Sequence, residues 1–245
     1  NEITSGKVED IKVVEYEHVL SEGLELPNVP TLVDVTGLAK PALFSGVRRA
    51  LQRKGRVWIC HTRAEQYYPL DVDIEKVLAA EKNRDHYQLL NSLSEILTGE
   101  EGPYTIDGLL ESDADESRRR VLCTFASAKH ERLLSLLDAR DYDRIEIIVP
   151  PRGTHRSEIA RIAAEIAGWN FRASGTSEIR SDDLHGVIDE LMRQYLYWYV
   201  ERGYNIEFGL TGSKMQAVAC AAVSVECKIA QCWYVRPKEF DPKRF

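Results

Sequence analysis

From residue 118 onward the chain alternates between short runs of β-branched and other apolar residues and longer stretches whose apolar positions recur every three or four residues. A parallel sheet with crossover helices requires that alternation, because each buried strand reads as a continuous apolar run and each covering helix as a stripe. The pattern predicts strands at 121–125, 144–149, 169–173, 204–210 and 228–235. It predicts helices at 131–139, 155–167, 182–202 and 213–227. Pro150 and Pro151 close the second strand, since proline cannot donate to a ladder. Gly168 reads as the stop of a helix that turns Ile159, Ile162, Ala163 and Ile166 to one side. The helix at 182–202 is apolar at Leu184, Ile188, Leu191, Tyr195 and Trp198. The first half repeats the grammar in shorter form: a strand at 31–35, a helix at 41–54 with Leu43, Val47, Ala50 and Leu51 inward, and a strand at 56–61. Residues 71–97 read as helical, and 98–117, rich in Gly, Asp, Glu and Ser, as a linker or surface insertion. The expected architecture is α/β: a Rossmann-like, doubly wound parallel sheet in two related lobes, the first abbreviated. The organisation read from the pattern is an N-terminal arm and abbreviated lobe at 1–69, a helical acidic insertion at 70–117, and a full lobe at 118–245.

Composition narrows the class. With 245 residues and 44% apolar content the chain has material for a large core, as a globular protein needs. No run of 18 apolar residues occurs, so no membrane span is expected. The first thirty residues are acidic and lack an apolar stretch of signal-peptide type, and the chain starts at Asn1, so the expectation is a fragment and no signal peptide. Cys60, Cys123, Cys220, Cys227 and Cys232 all lie in apolar runs and never as C-x-x-C, which predicts reduced core thiols in a cytoplasmic protein. The net charge of −7 argues against indiscriminate coating of nucleic acid or anionic membrane. Its distribution matters more. Residues 1–30 hold 2 basic and 7 acidic groups and residues 70–117 hold 3 and 13, whereas residues 31–69 hold 7 and 2 and residues 118–245 hold 20 and 17. Both lobes are positive, which permits a localised phosphate site.

The segment Phe208-Gly209-Leu210-Thr211-Gly212-Ser213-Lys214-Met215 carries the clearest chemistry. A strand runs into Thr-Gly-Ser-Lys and straight on into a helix, placing small residues and a lysine at the C-terminal edge of the sheet. Unpaired N–H groups and the positive end of the helix dipole favour an anion there. Gly212 allows close backbone approach, Thr211 and Ser213 cap or donate, and Lys214 adds a full charge. Met215 after the lysine separates this turn from the Walker A pattern G-x-x-x-x-G-K-S/T. The plain alternative is an ordinary N-cap beside an exposed lysine. The first half echoes the turn as Val35-Thr36-Gly37-Leu38-Ala39-Lys40. The echo continues: Arg63 precedes Pro69 by six residues as Arg236 precedes Pro242, aromatic residues stand at Tyr67 and Phe240, and Thr to Arg spans 27 residues in one half and 25 in the other.

The turn Leu210-Thr211-Gly212-Ser213-Lys214-Met215, near the end of a Rossmann-like region, resembles the CRISPR-associated Rossmann fold (CARF) family and the double-lobed SAVED domains of antiphage signalling. Those domains bind cyclic oligonucleotide second messengers. The resemblance covers roughly 121–235, and 31–69 in part. It implies phosphate contacts by Thr211, Gly212, Ser213 and Lys214, with a second contact from the loop after the first strand of the lobe at Ser127 and Lys129. It also implies a homodimer or higher oligomer and an effector outside this chain. The family's usual turn has two glycines before a Thr-Lys pair; here Gly212 stands alone and Ser213 takes the place of that threonine.

Together these readings give candidate ligand contacts at Thr211, Gly212, Ser213, Lys214, Ser127, Lys129, Thr36, Gly37, Lys40, Arg63, Arg236 and Arg152. Arg152 enters because Pro150-Pro151-Arg152-Gly153-Thr154-His155 also follows a strand and precedes a helix; a stiff proline corner is the alternative. His61, His86, His130 and His185 form no ligand pair at i, i+4, so no metal is expected, and no cofactor. No G-x-S-x-G elbow occurs. The string Tyr195, Tyr197, Trp198 and Tyr199 covers more than one helix face, fitting core packing or a partner surface. Three functions follow: a sensor of a cyclic or linear oligonucleotide controlling an antiphage effector; a ring-nuclease-like enzyme that cleaves the bound nucleotide, for which no catalytic residue is assigned; and a nucleic-acid-binding scaffold of a defence complex.

Overall fold

The computed structural model describes residues 30–240 except 54, 66–68, 81–84, 98–99 and 113. Tyr67, Pro242 and most of the acidic arm therefore lie outside the described residues. In chain order the elements are β1 (Thr31–Asp34), α1 (Lys40–Leu51), β2 (Val57–Cys60), α2 (Asp71–Ala80), α3 (His86–Leu97), β3 (Glu100–Gly108) and β4 (Arg120–Phe125). There follow α4 (His130–Asp138), β5 (Arg144–Val149), α5 (His155–Phe171), β6 (Ser174–Glu178) and α6 (Leu184–Tyr195), which continues as a π-helical turn over Leu196–Glu201. The last elements are β7 (Asn205–Gly209), α7 (Lys214–Glu226) and β8 (Gln231–Phe240).

The main sheet has the order β3-β8-β7-β4-β5-β6. All pairings except β3 with β8 are parallel. The parallel strands thus run 8-7-4-5-6, the doubly wound arrangement with its switch point between β4 and β7. Strands β4, β5 and β7 are buried on both faces because helices cover both. On one face α6 and α7 close over Val121, Cys123, Phe125, Ile206 and Phe208. On the other, α4 and α5 cover Leu122, Ile145 and Ile147. Helix α5 is apolar on a second side as well: Ile159, Ala163 and Ile166 meet Ile74, Leu90 and Leu93, so the α2–α3 pair forms an outer layer.

The abbreviated lobe is the parallel pair β1–β2 with α1. Helix α7 is buried almost all round, from Gln216 through Ala221, which fits a helix held between the sheet and another helix. That second helix is α1, whose Leu43, Phe44 and Val47 share one core with Ala217, Ala221 and Phe208. Among the described residues no helix packs on the far side of β1–β2: Leu32 and Trp58, which face each other across the pair, are 66% and 49% exposed.

Several boundaries differ from expectation. Helix α5 passes through Gly168 and stops at Arg172, which takes the left-handed conformation (φ 56°), so no strand forms at 169–173 and β6 starts at Ser174. The segment read as a linker supplies β3, paired antiparallel to β8 along the sheet edge, with a register irregularity between Glu101 and Tyr104 where Pro103 falls. All five cysteines are free, but Cys60 is exposed on the open face of β2 and Cys227 is half-buried, so only Cys123, Cys220 and Cys232 are core thiols. The aromatic string owes its spread to the π-helical turn, which shifts the helix register. Tyr195 stacks on Tyr199 at 5.0 Å and Trp198 meets Tyr204 edge-on at 5.0 Å.

Candidate functional site

In an open α/β sheet the crevice beyond the carboxyl ends of the strands at the switch point is where ligands sit. Here that crevice is bounded by 126–129 after β4 and by 210–213 after β7. Thr211 fastens the two. Its hydroxyl donates to the Phe125 carbonyl at 2.6 Å, accepts from the Phe125 N–H at 3.3 Å and lies 2.8 Å from the Thr124 hydroxyl. β4 alternates its ladder bonds between neighbours, and its Ala126 N–H goes to Ile148 of β5, so the Phe125 amide and carbonyl face the side where β7 has ended. The Thr211 side chain completes that ladder. It is 1% exposed, so its hydroxyl serves the scaffold of the crevice rather than its surface. The Ser127 hydroxyl reaches the Thr211 carbonyl at 3.2 Å and the Lys129 carbonyl at 3.3 Å, tying the second loop to the first.

Gly212 is needed for a close approach, and the neighbour is the protein itself. A Cβ there would lie 1.9 Å from Gln216 Oε1 and 2.8 Å from Phe125 Cβ. Gln216 sits so close because it completes a capping box: the Ser213 N–H donates to Gln216 Oε1 at 2.7 Å, and the Gln216 N–H donates to the Ser213 hydroxyl at 3.2 Å. The Ser213 hydroxyl donates in turn to the Ser181 carbonyl at 2.7 Å. By helix geometry the remaining first-turn N–H groups, those of Lys214 and Met215, have no intrahelical acceptor and are the ones available to an anion.

The echo turn stands opposite. Lys40 Nζ donates to the Leu210 carbonyl at 2.8 Å, and Lys214 Nζ donates to the Thr36 carbonyl. Each lysine therefore crosses to the turn of the other lobe, and α1 and α7 begin at one opening with their positive ends together. Thr36 holds its own turn: its N–H donates to Asp34 Oδ1 at 2.9 Å and its hydroxyl accepts from the Thr62 N–H at 2.8 Å. Hydrogen bonds from Thr36 keep the Asp34 carboxyl below its ordinary range. Burial lowers the Lys214 ammonium from its usual value, with Asp34 pulling the other way. Gly37 differs from Gly212, since nothing lies within 4 Å of a Cβ placed there. An ammonium has three donors, and Thr36 takes one of those on Lys214, so a phosphate oxygen can be met without breaking the link between lobes.

The structure thus brings together Ser127, Thr211, Gly212, Ser213, Lys214, Thr36, Gly37 and Lys40, with Lys129 at the start of α4. Arg63 reaches the rim through an ion pair with Asp182 (3.3 Å). Arg236 pairs with Asp107 at 2.9 Å and lines a hollow of about 290 Å³ with Pro41 and Ser45 of α1. Arg152 is held by Glu158 of α5 at 3.2 Å and, among the described residues, shares no partner with the turns. A larger hollow, about 410 Å³, lies between α5 and β6 around Arg161 and Trp169 and contains none of the turn residues. Sequence reasoning missed Gln216, although Ser213-x-x-Gln216 is a legible capping box, and Asp34, Arg180 and Asp182, whose partners are fixed by the fold. Among the described residues no group of three or more His, Cys, Asp or Glu could hold a metal ion, and no helix is long and apolar enough to cross a membrane.

Comparison of the chain with protein-family models, with curated proteins and with solved structures finds no match.

Proposed function

We propose that the chain is a sensor module that binds a cyclic or linear oligonucleotide messenger at the crevice between its two Thr-Gly…Lys turns and controls an antiphage effector fused to or associated with it. One observation carries the reading: Lys40 and Lys214 exchange across the crevice, so two helix starts and two ammonium groups from equivalent turns converge on one opening at the switch point. Phosphodiesters spaced around a ring suit a site with two matched cationic edges. A ligand that engages both turns also changes the contact between lobes, which gives a bound state that an effector reads. A cytoplasmic setting and a dimeric or larger assembly belong to the same proposal.

Calorimetry against cyclic di-, tri- and tetranucleotides, with Lys214→Ala as control, tests it. Binding by the wild type that weakens about tenfold or more in the variant supports the reading. No binding by the wild type refutes it. Chromatography of the ligand after long incubation separates a sensor, which returns it intact, from a ring-nuclease-like enzyme, which returns a linear product.

A further inference from the structure

Asp182 lies in the segment between β6 and α6, and two arginines from different parts of the fold converge on it. Arg180 forks onto the carboxylate, Nε to Oδ1 at 3.0 Å and Nη2 to Oδ2 at 2.9 Å. Arg63, in the loop that follows β2 of the other lobe, brings its Nη1 to Oδ2 at 3.3 Å. The residue between the two partners, Ser181, receives the Ser213 hydroxyl through its carbonyl, so this cluster is buttoned to the first turn of α7. The three side chains are exposed, Arg63 at 71%, Arg180 at 69% and Asp182 at 41%.

A planar guanidinium fork matches carboxylate and phosphate equally well, and here guanidinium groups from two separate segments of the chain meet on one oxygen, Asp182 Oδ2. The other two candidate arginines, Arg152 and Arg236, pair with Glu158 and Asp107 respectively. Exposed ion pairs of this kind are held weakly, so a ligand with more charge can displace the carboxylate.

We propose that Arg63 and Arg180 form a phosphate subsite on the rim of the crevice, and that Asp182 occupies it in the free protein as an internal stand-in for a phosphate oxyanion. The subsite extends the reading of the lysine turns to a second contact: a phosphate of the same ligand replaces the Asp182 carboxylate, and the two lobes are then bridged by the ligand where they are now bridged by Asp182.

The test uses sodium tripolyphosphate as probe, with affinity read by calorimetry at low salt on the whole chain. Asp182→Asn keeps the shape and removes the competing charge, and binds the probe about fivefold more tightly than the wild type. In Asp182→Asn with Arg180→Ala the gain disappears. The proposal is overturned if Asp182→Asn binds no tighter, or if the gain survives the loss of Arg180, which would make it a general effect of net charge. A thermal melt of each variant confirms that it is folded. The subsite and the lysine turns fail separately. If Lys214→Ala binds the probe as the wild type does while Asp182→Asn still gains, the subsite stands and the turn reading falls. If cyclic oligonucleotides need Lys214 but Asp182→Asn changes nothing, the subsite falls alone.

Discussion

Replacing Thr211 by valine removes one hydroxyl and leaves the side-chain volume nearly unchanged, so it isolates what that hydroxyl does. At present it accepts from the Phe125 N–H and donates to the Phe125 carbonyl, at the point where β4 has lost its β7 neighbour. Phe125 is fully buried and Thr211 is 1% exposed, so no water replaces the lost partner. Two backbone polar groups are then orphaned, each at roughly 1–3 kcal/mol, while the Thr124 hydroxyl, which also loses a partner, keeps its own bond to the Gly209 carbonyl. The expected loss is about 2–6 kcal/mol, a large part of the roughly 5–15 kcal/mol that holds a typical domain. Urea unfolding followed by tryptophan fluorescence measures it, with Thr211→Ser, which retains the hydroxyl, expected to lose about 1 kcal/mol or less. A loss below about 0.5 kcal/mol for Thr211→Val would show that the hydroxyl is not the end of the ladder and that its place in the crevice has been misread.

Gly212→Ala puts a methyl where Gln216 Oε1 and Phe125 Cβ already are, so it breaks the capping box and costs about 1–3 kcal/mol in urea melts, while Gly37→Ala, facing open space, stays within about 0.5 kcal/mol; equal effects would contradict the asymmetry between the two turns. Burial raises Glu146 from the ordinary 4.5 to about 7, against the pull of Arg144 and Arg193 and with help from Glu190. Its folded form holds the proton more tightly than the unfolded chain, so it favours the fold fully at acid pH and that contribution is lost as pH rises from about 4.5 to 7. Glu146→Gln removes the dependence, making the variant more stable than wild type by about 2–3 kcal/mol at pH 8 and nearly equal at pH 4. Parallel stability curves for the two proteins would overturn that reading.

The main sheet was legible because its central strands are buried on both faces and read as short, mostly apolar runs, while α4 and α6 bury one stripe each; β5 lies where the run 144–149 places it. The boundary at Gly168 misled because glycine there answers a packing need rather than a helix stop: its missing Cβ faces the Ala173 carbonyl at 3.3 Å, and the chain reverses at a left-handed arginine instead. Strand β3 escaped notice because an edge strand tolerates Pro103 and polar residues and takes its order from β8. Cys60 looked buried because Val57-Trp58-Ile59-Cys60 is apolar throughout, yet a two-stranded pair with a helix on one side leaves alternate residues outside. At the site, the paired turns could be seen as repeats in the sequence. Their meeting could not, since Lys40 and Leu210 are 170 residues apart and Lys214 and Thr36 are 178. Nor could the use of Thr211 and Gly212 inside the scaffold be read locally, because it depends on where β7 stops beside β4.

The convergence of the two lysines is tested most directly by the affinity of one cyclic oligonucleotide for the wild type, Lys40→Ala and Lys214→Ala, measured by calorimetry under identical salt. The paired-turn account predicts that the wild type binds and that each variant, one from each lobe, weakens binding about tenfold or more. Binding that is absent in the wild type, or unchanged in both variants, contradicts it.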